Sequence, residues 1–189
     1  CGAARGSDCL QSLHPPSQRR MNPHLQARPE SFTMRIPVKH LGEHMTTLRP
    51  SRADDGAALF DLWRRAVDAT HDFLSTEDRQ AIDAEVAAFL PQAPMTVAVN
   101  AQDQPQGFML IDGTHMEALF IDPDVRGTGI GRQLLQHALA LHPQLSTDVN
   151  AQNAQAVGFY LRMGFVETGR SPLDSQGRPY PLIHLRHKA

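Results

Sequence analysis

Apolar and polar positions change period several times along this chain, and the changes mark out its elements. Past residue 45, "TTLRPS" reads as a short strand. Leu59, Leu62, Trp63 and Ala66 then fall at i, i+3, i+4 and i+7, one face of a helix opened by Asp54 and Asp55. Ser75, with Asp78 three residues on, resembles a capping box. Ile82, Val86, Phe89 and Leu90 form the apolar stripe of the helix it starts, and Pro91 ends that helix. Strand patterns follow in series, "MTVAV" at 95–99, "GFMLI" at 107–111 and "HMEALFI" at 115–121, separated by the polar turn "NAQDQPQ" and by Asp112 and Gly113. They predict an antiparallel meander.

Beyond a glycine-rich stretch, Ile130, Leu134, Ala138 and Leu141 define a helix that stops at Pro143, and "LSTDV" at 145–149 follows as a strand. A strand, a helix and a strand at this spacing form a βαβ crossover. Asn153 caps a further helix that runs to about Met163, with Gly164 just past its end, and "FVET" and "PLIHL" supply two closing strands. The order β, α, α, β, β, β, α, β, α, β, β predicts an α/β (α+β) fold, a mixed central sheet with helices on both faces.

Residues 1–44 behave differently. Pro15, Pro16, Pro23, Pro29 and Pro37 interrupt them, and they show no sustained period of 2 or 3.6. Burial cannot offset the entropy of ordering such a segment, so 1–44 is expected to be a disordered or artefactual extension of one domain at 45–189. With 189 residues and 41% hydrophobic content, one domain is what the length supports. No stretch reaches the roughly 18 to 20 apolar residues that cross a bilayer, and no signal-peptide pattern opens the sequence. The only cysteines are Cys1 and Cys9, so the domain has neither a disulfide framework nor a thiol nucleophile. These features point to a cytoplasmic protein.

Residues 1–44 carry six basic and three acidic side chains, which leaves a net of -5 on the rest against -2 overall. An acidic body disfavours nucleic acid and tolerates a cationic substrate, or is simply a solvated surface. His184 and His187 form the closest histidine pair, but a strand points them to opposite faces and no cysteine supports them, so no metal is expected.

The chemistry is concentrated in "VRGTGIGRQLL", residues 125–135. In a strand, glycine-rich turn and helix, free backbone N–H groups and the positive end of the helix dipole converge on one point. Gly127, Gly129 and Gly131 have no Cβ, so a phosphate can approach the main chain, and Arg126 adds a permanent charge. A dinucleotide fingerprint would need glycine where Arg132 stands, and a Walker A loop would need Gly-Lys-Ser/Thr. Spacing alone leaves open a tight turn that glycines merely permit.

"LFIDPDVRGTGIGRQLL" resembles motif A of the Gcn5-related N-acetyltransferase (GNAT) superfamily, the Arg/Gln-x-x-Gly-x-Gly/Ala signature that binds the pyrophosphate of acetyl-CoA. "NAQAVGFYLRMGF" is similar to its motif B, with Asn153, Ala156, Tyr160, Gly164 and Phe165 at the matching positions. "AVDATHDFL", "QAVGFY" and "GRPYPLI" extend the resemblance to one bacterial member over nearly all of 45–189. The resemblance implies the GNAT fold, acetyl-CoA as cosubstrate, and Arg126, Gly127, Thr128, Gly129, Ile130, Gly131, Arg132 and Asn153 as its binding residues. Its pantetheine arm is expected along Leu119, Phe120 and Ile121, whose backbone can pair with the amides as another strand would.

An amine acceptor with a pKa of about 10.4 must lose a proton. Strand alternation places His115, Glu117, Leu119 and Ile121 on one face, which makes Glu117 the first candidate base and His115 the reserve; an exposed strand carboxylate without a role is the competing reading of Glu117. Tyr160 lies seven residues after Asn153, on the same helix face, and the resemblance makes it the general acid for the departing thiolate; a tyrosine packed in the core is its alternative. Without a cysteine in the domain, direct attack in a ternary complex is expected. Trp63, His71, Phe73 and Tyr180 are candidates for the acceptor pocket or for ordinary core.

The function expected is transfer of an acetyl group from acetyl-CoA to a primary amine of a small molecule or peptide, by a monomer or homodimer with no nucleic-acid or membrane partner. A non-catalytic CoA-binding sensor or scaffold is the alternative. An acetylating toxin directed at charged tRNA would want a basic face that the body lacks.

Overall fold

The structure, a computed structural model, describes residues 46–188; the reading of 1–44 falls outside them. Seven strands form one sheet in the order β1-β2-β3-β4-β5-β7-β6. They are β1 (Thr47–Pro50), β2 (Thr96–Val99), β3 (Pro105–Asp112), β4 (His115–Ile121), β5 (Ser146–Asn150), β6 (Phe165–Ser171) and β7 (Leu182–His187). Four helices flank it: α1 (Gly56–Asp68), α2 (Thr76–Phe89), α3 (Ile130–Leu141) and α4 (Ala154–Arg162). Every neighbouring pair is antiparallel except β4 and β5, which the α3 crossover makes parallel.

Strand alternation divides the core between the two faces. Val97, Val99, Phe108, Leu110, Ala118 and Phe120 pack under α1 and α2, which contribute Leu59, Leu62, Trp63, Ile82 and Val86. Ala98, Met109 and Met116 point the other way, to Ile130, Leu134 and Ala138 of α3 and Tyr160 of α4. The helix ends follow their local chemistry. Ser75 Oγ accepts from Asp78 N at 3.1 Å at the start of α2, and Asn153 Oδ1 accepts from Ala156 N at 3.0 Å at the start of α4. Gly164, at φ +90°, takes the left-handed turn that closes α4.

One reading of β4 needs correction. In the β3–β4 register, Leu110 faces Ala118 and the next residue, Ile111, faces Met116, so Glu117 is the extra residue of a bulge. A single inserted residue reverses the side-chain parity on one side of it. Met116 therefore packs on the same face as Leu119 and Ile121, while Ala118 and Phe120 turn to α1. His115, Glu117, Leu119 and Ile121 do not form one uninterrupted face. Glu117 is also not an exposed carboxylate: it is 2% exposed.

Candidate active site in the gap between two parallel strands

The parallel ladder of β4 and β5 is two residue pairs long, His115 with Ser146 and Met116 with Thr147, and there Thr147 Oγ1 donates to the Met116 carbonyl at 3.0 Å. Past that point the strands diverge and a cleft of about 380 Å³ opens between them. Leu119, Phe120 and Ile121 line it from β4, Val149 and Asn150 from β5, and Phe159 and Tyr160 from α4. The edge of β4 that faces β5 is thereby left available to an extended ligand.

The loop at the mouth of the cleft is built stepwise. Asp122 Oδ1 accepts from Asp124 N at 3.1 Å and starts a 3-10 turn, Pro123–Val125. Gly127 and Gly129 then adopt φ +82° and +97°, and a Cβ on either would meet nothing within 4 Å. Their requirement is conformational, for the left-handed backbone that aims the start of α3 at the cleft. Gly131 differs: it lies inside α3 against Ile121 and Phe159, both 3.6 Å from where its Cβ would stand. Thr128 is not in the cleft wall; its hydroxyl donates to Val125 O at 2.7 Å within the loop.

Helix α1 holds this loop from above. Arg65 donates two parallel hydrogen bonds to Asp122, at 2.9 and 2.7 Å, and Arg126 donates to the Ala66 carbonyl at 3.3 Å. The α4 side presents a second helix N-terminus, at Asn153. Arg126, Gly127, Gly129, Ile130, Gly131, Arg132 and Asn153 all reach the same cleft, which with Arg162 thus combines two helix N-termini with three arginines.

Tyr160 sits where the strands part. It is 1% exposed, its ring meets Phe159 and Phe165 edge-on with centroids 5.2 Å away in each case, and its hydroxyl donates to Met116 Sδ at 3.6 Å. Sulfur is a weak acceptor, so a thioester sulfur can compete for this hydroxyl. Asn150, at the end of β5, is 2% exposed, and its Oδ1 is buried with no hydrogen-bond partner. An amide N–H entering the cleft suits that oxygen, and so do the free strand edge and the helix N-termini. The lining residues thus fit a ligand with amides at one end and phosphates at the other.

The remaining candidates lie at different places. His71 lines the cleft at the end of α1, and burial pushes its imidazole down to about 4. Phe73 meets it at a tilt of 51° with centroids 5.2 Å apart, and meets Tyr180 at 53° and 5.9 Å, so an aromatic row leads away from the cleft. Tyr180 is fixed by its hydroxyl, which donates to Asp78 at 2.5 Å and accepts from Ser75 N at 3.1 Å. Trp63 is core, stacked on Phe60 beneath Arg79. Neither Glu117 nor His115 lines the cleft. His115 binds Ser146 Oγ through Nδ1 at 2.9 Å, and burial pulls its pKa below the usual histidine value. Sequence reasoning passed over Arg65, Thr70, Asp122 and Asn150. An Asx cap at Asp122 before Pro123 was a signal for the loop; nothing local marked the other three.

Among the described residues, no group of three or more His, Cys, Asp or Glu side chains is placed to hold a metal ion, and no helix is long and apolar enough to cross a membrane. The acetyltransferase (GNAT) domain family matches residues 65–179. The chain is 59% identical, over 141 residues, to the peptidyl-lysine N-acetyltransferase YjaB of Salmonella typhimurium, a match covering 75% of this chain and 97% of that protein. The solution structure of apo-form YjaB from Escherichia coli superposes with a TM-score of 0.73 at 57% identity, over 76% of this chain and 97% of that one. The PaiA N-acetyltransferase of Thermoplasma acidophilum, solved in complex with coenzyme A, has the same fold with a TM-score of 0.62 at 17% identity, over 76% and 99% of the two chains. With its split parallel pair, its glycine loop and a relative matched over almost its whole length, this chain belongs to the GNAT family of acetyltransferases.

Proposed function

We propose that this enzyme moves the acetyl group of acetyl-CoA to the ε-amine of a lysine in a peptide or protein. The observation that carries the reading is the position of Tyr160, which lines the cleft at the apex of the β4–β5 gap and whose hydroxyl donates to the Met116 thioether. The diphosphate end is held by the start of α3 with Arg126 and Arg132, and Asn150 and the β4 edge take the pantetheine amides. The amine nitrogen attacks the thioester carbonyl carbon, the carbon–sulfur bond breaks, and the Tyr160 hydroxyl gives its proton to the departing sulfur. No residue of the domain is a thiol, so transfer is direct. The lysine acceptor is supported by the peptidyl-lysine activity for which the similar YjaB proteins are named.

The test is release of CoA from acetyl-CoA with a lysine peptide, compared with the same peptide carrying norleucine and with a free polyamine. Acetylation of the lysine peptide alone, seen as one acetyl group added by mass, supports the assignment. Turnover with the polyamine alone would move the acceptor to small amines, and binding of acetyl-CoA without turnover with any amine would make the protein a sensor.

A further inference from the structure

The proton that the acceptor nitrogen loses needs a destination, and neither β4 candidate lines the cleft. His71 does. Its backbone is locked by its N–H, which donates to Val67 O at 2.8 Å, in the turn that ends α1. The hydrogen bonds around its ring determine its tautomer. The Thr70 hydroxyl has one proton and donates it to the Ala66 carbonyl at 2.7 Å. Its 2.8 Å contact with His71 Nδ1 must then be an Nδ1–H donating to Thr70 Oγ1. In a neutral ring this leaves Nε2 unprotonated, with its lone pair as the ring's one acceptor.

We propose that Nε2 of His71 is the general base of the transfer, receiving the proton of the acceptor amine. This rests on the reading that the cleft holds acetyl-CoA beside an amine. The lone pair of the neutral amine forms the bond to the carbonyl carbon, sulfur leaves with the Tyr160 proton, the proton now on the acylated nitrogen passes to Nε2 and from there to water, and the Tyr160 phenolate regains a proton from water. The order matters. A free ammonium with a pKa of about 10.4 would not yield its proton to so weak a base, whereas a nitrogen bonded to an acyl carbon is far more acidic. Burial is the main reason the ring stays neutral at pH 7; the charges of Arg79 and Arg126 act in the same direction, and a hydrogen bond to the Val67 backbone and the charge of Asp72 oppose them. The Ala66 carbonyl that accepts from Thr70 also accepts from Arg126, so one chain of hydrogen bonds links the base to the cofactor loop.

The experiment measures turnover of acetyl-CoA with a lysine peptide by the parent, His71→Ala and Thr70→Val, with acetyl-CoA affinity by calorimetry on each. The expected result is a fall in kcat of roughly 10² to 10⁴ for His71→Ala, unchanged acetyl-CoA affinity, and partial rescue by free imidazole. Thr70→Val, which loses the oxygen that selects the tautomer, should lower kcat about tenfold, and Thr70→Ser should restore it. If His71→Ala does not fold, the Thr70 pair decides alone. Parent-like turnover in His71→Ala, or in Thr70→Val when the first variant is unfolded, overturns the proposal. So does a loss in His71→Ala that imidazole does not relieve while Glu117→Gln shows the larger defect. Failure of the parent to bind acetyl-CoA would instead strike the underlying functional reading.

Discussion

Arg65 on α1 grips Asp122 through two parallel hydrogen bonds, and Asp122 is the residue that starts the glycine loop at the mouth of the cleft. A helix on one face of the sheet thereby sets the geometry of a loop that serves the other. Because Arg65 is half exposed, its loss should cost stability no more than about 1 kcal/mol. Its effect on the loop should be larger. Arg65→Met is expected to weaken acetyl-CoA binding about three- to tenfold by calorimetry with kcat nearly unchanged, and Arg65→Lys should not restore it, since an ammonium cannot make the paired contact.

Gly129→Val tests the loop directly. At φ +97° a β-branched residue is strained by about 1–3 kcal/mol even though the space beyond its Cβ is open. The domain should therefore fold, with an unchanged circular dichroism spectrum, and lose acetyl-CoA binding by about 100-fold or more as the N-terminus of α3 turns away. Retained affinity would show that the loop tolerates another conformation.

Tyr160→Phe keeps the two edge-on ring contacts and removes only a hydroxyl bonded to sulfur at 3.6 Å. The melting temperature should hardly change, while the rate of transfer falls by roughly 10² to 10⁴. A thiol pKa of about 8.5 means the defect should shrink at high pH, where the thiolate leaves without help. A thioester with a more acidic thiol should rescue it, and an unchanged rate with chemistry limiting would return Tyr160 to a packing role.

Asn150→Leu should separate stability from binding with opposite signs. Replacing a buried oxygen that has no partner removes a desolvation cost, so urea unfolding should show the variant equal to the parent or up to about 1 kcal/mol more stable. Affinity for acetyl-CoA should fall about tenfold, because the amide that would meet Oδ1 loses its acceptor.

His71 predicts a pH dependence. Its folded-state pKa, about 4, lies below the ordinary 6.5, so between these values the unfolded chain binds a proton that the folded protein excludes. Unfolding free energy should climb as pH rises through that window, by about 3 kcal/mol from this residue. His115, also lowered by burial, contributes with the same sign, so the share of His71 is the difference between the parent and His71→Gln in urea midpoints measured from pH 4 to 7. Parallel curves would mean that the imidazole is solvated.

Much of this enzyme is legible in one dimension, because periodicity, caps and turns depend on neighbours within a few residues. Leu59, Leu62, Trp63 and Ala66 announced a buried helix face, Ser75 and Asn153 announced helix starts, and the glycines of 127–131 and Tyr160 line one cleft. What depends on register or on distant segments was decided only in three dimensions. The bulge at Glu117 arises from the pairing of β3 with β4, and it moved His115 off the face that alternation assigned to it. The two-pair limit of the β4–β5 ladder places Tyr160 at an apex, the grip of Arg65 on Asp122 spans 57 positions, and the buried oxygen of Asn150 becomes informative only when the cleft around it exists. Local sequence sets which elements form, whereas long-range packing sets which side chains meet, and the chemistry of this site depends on the second.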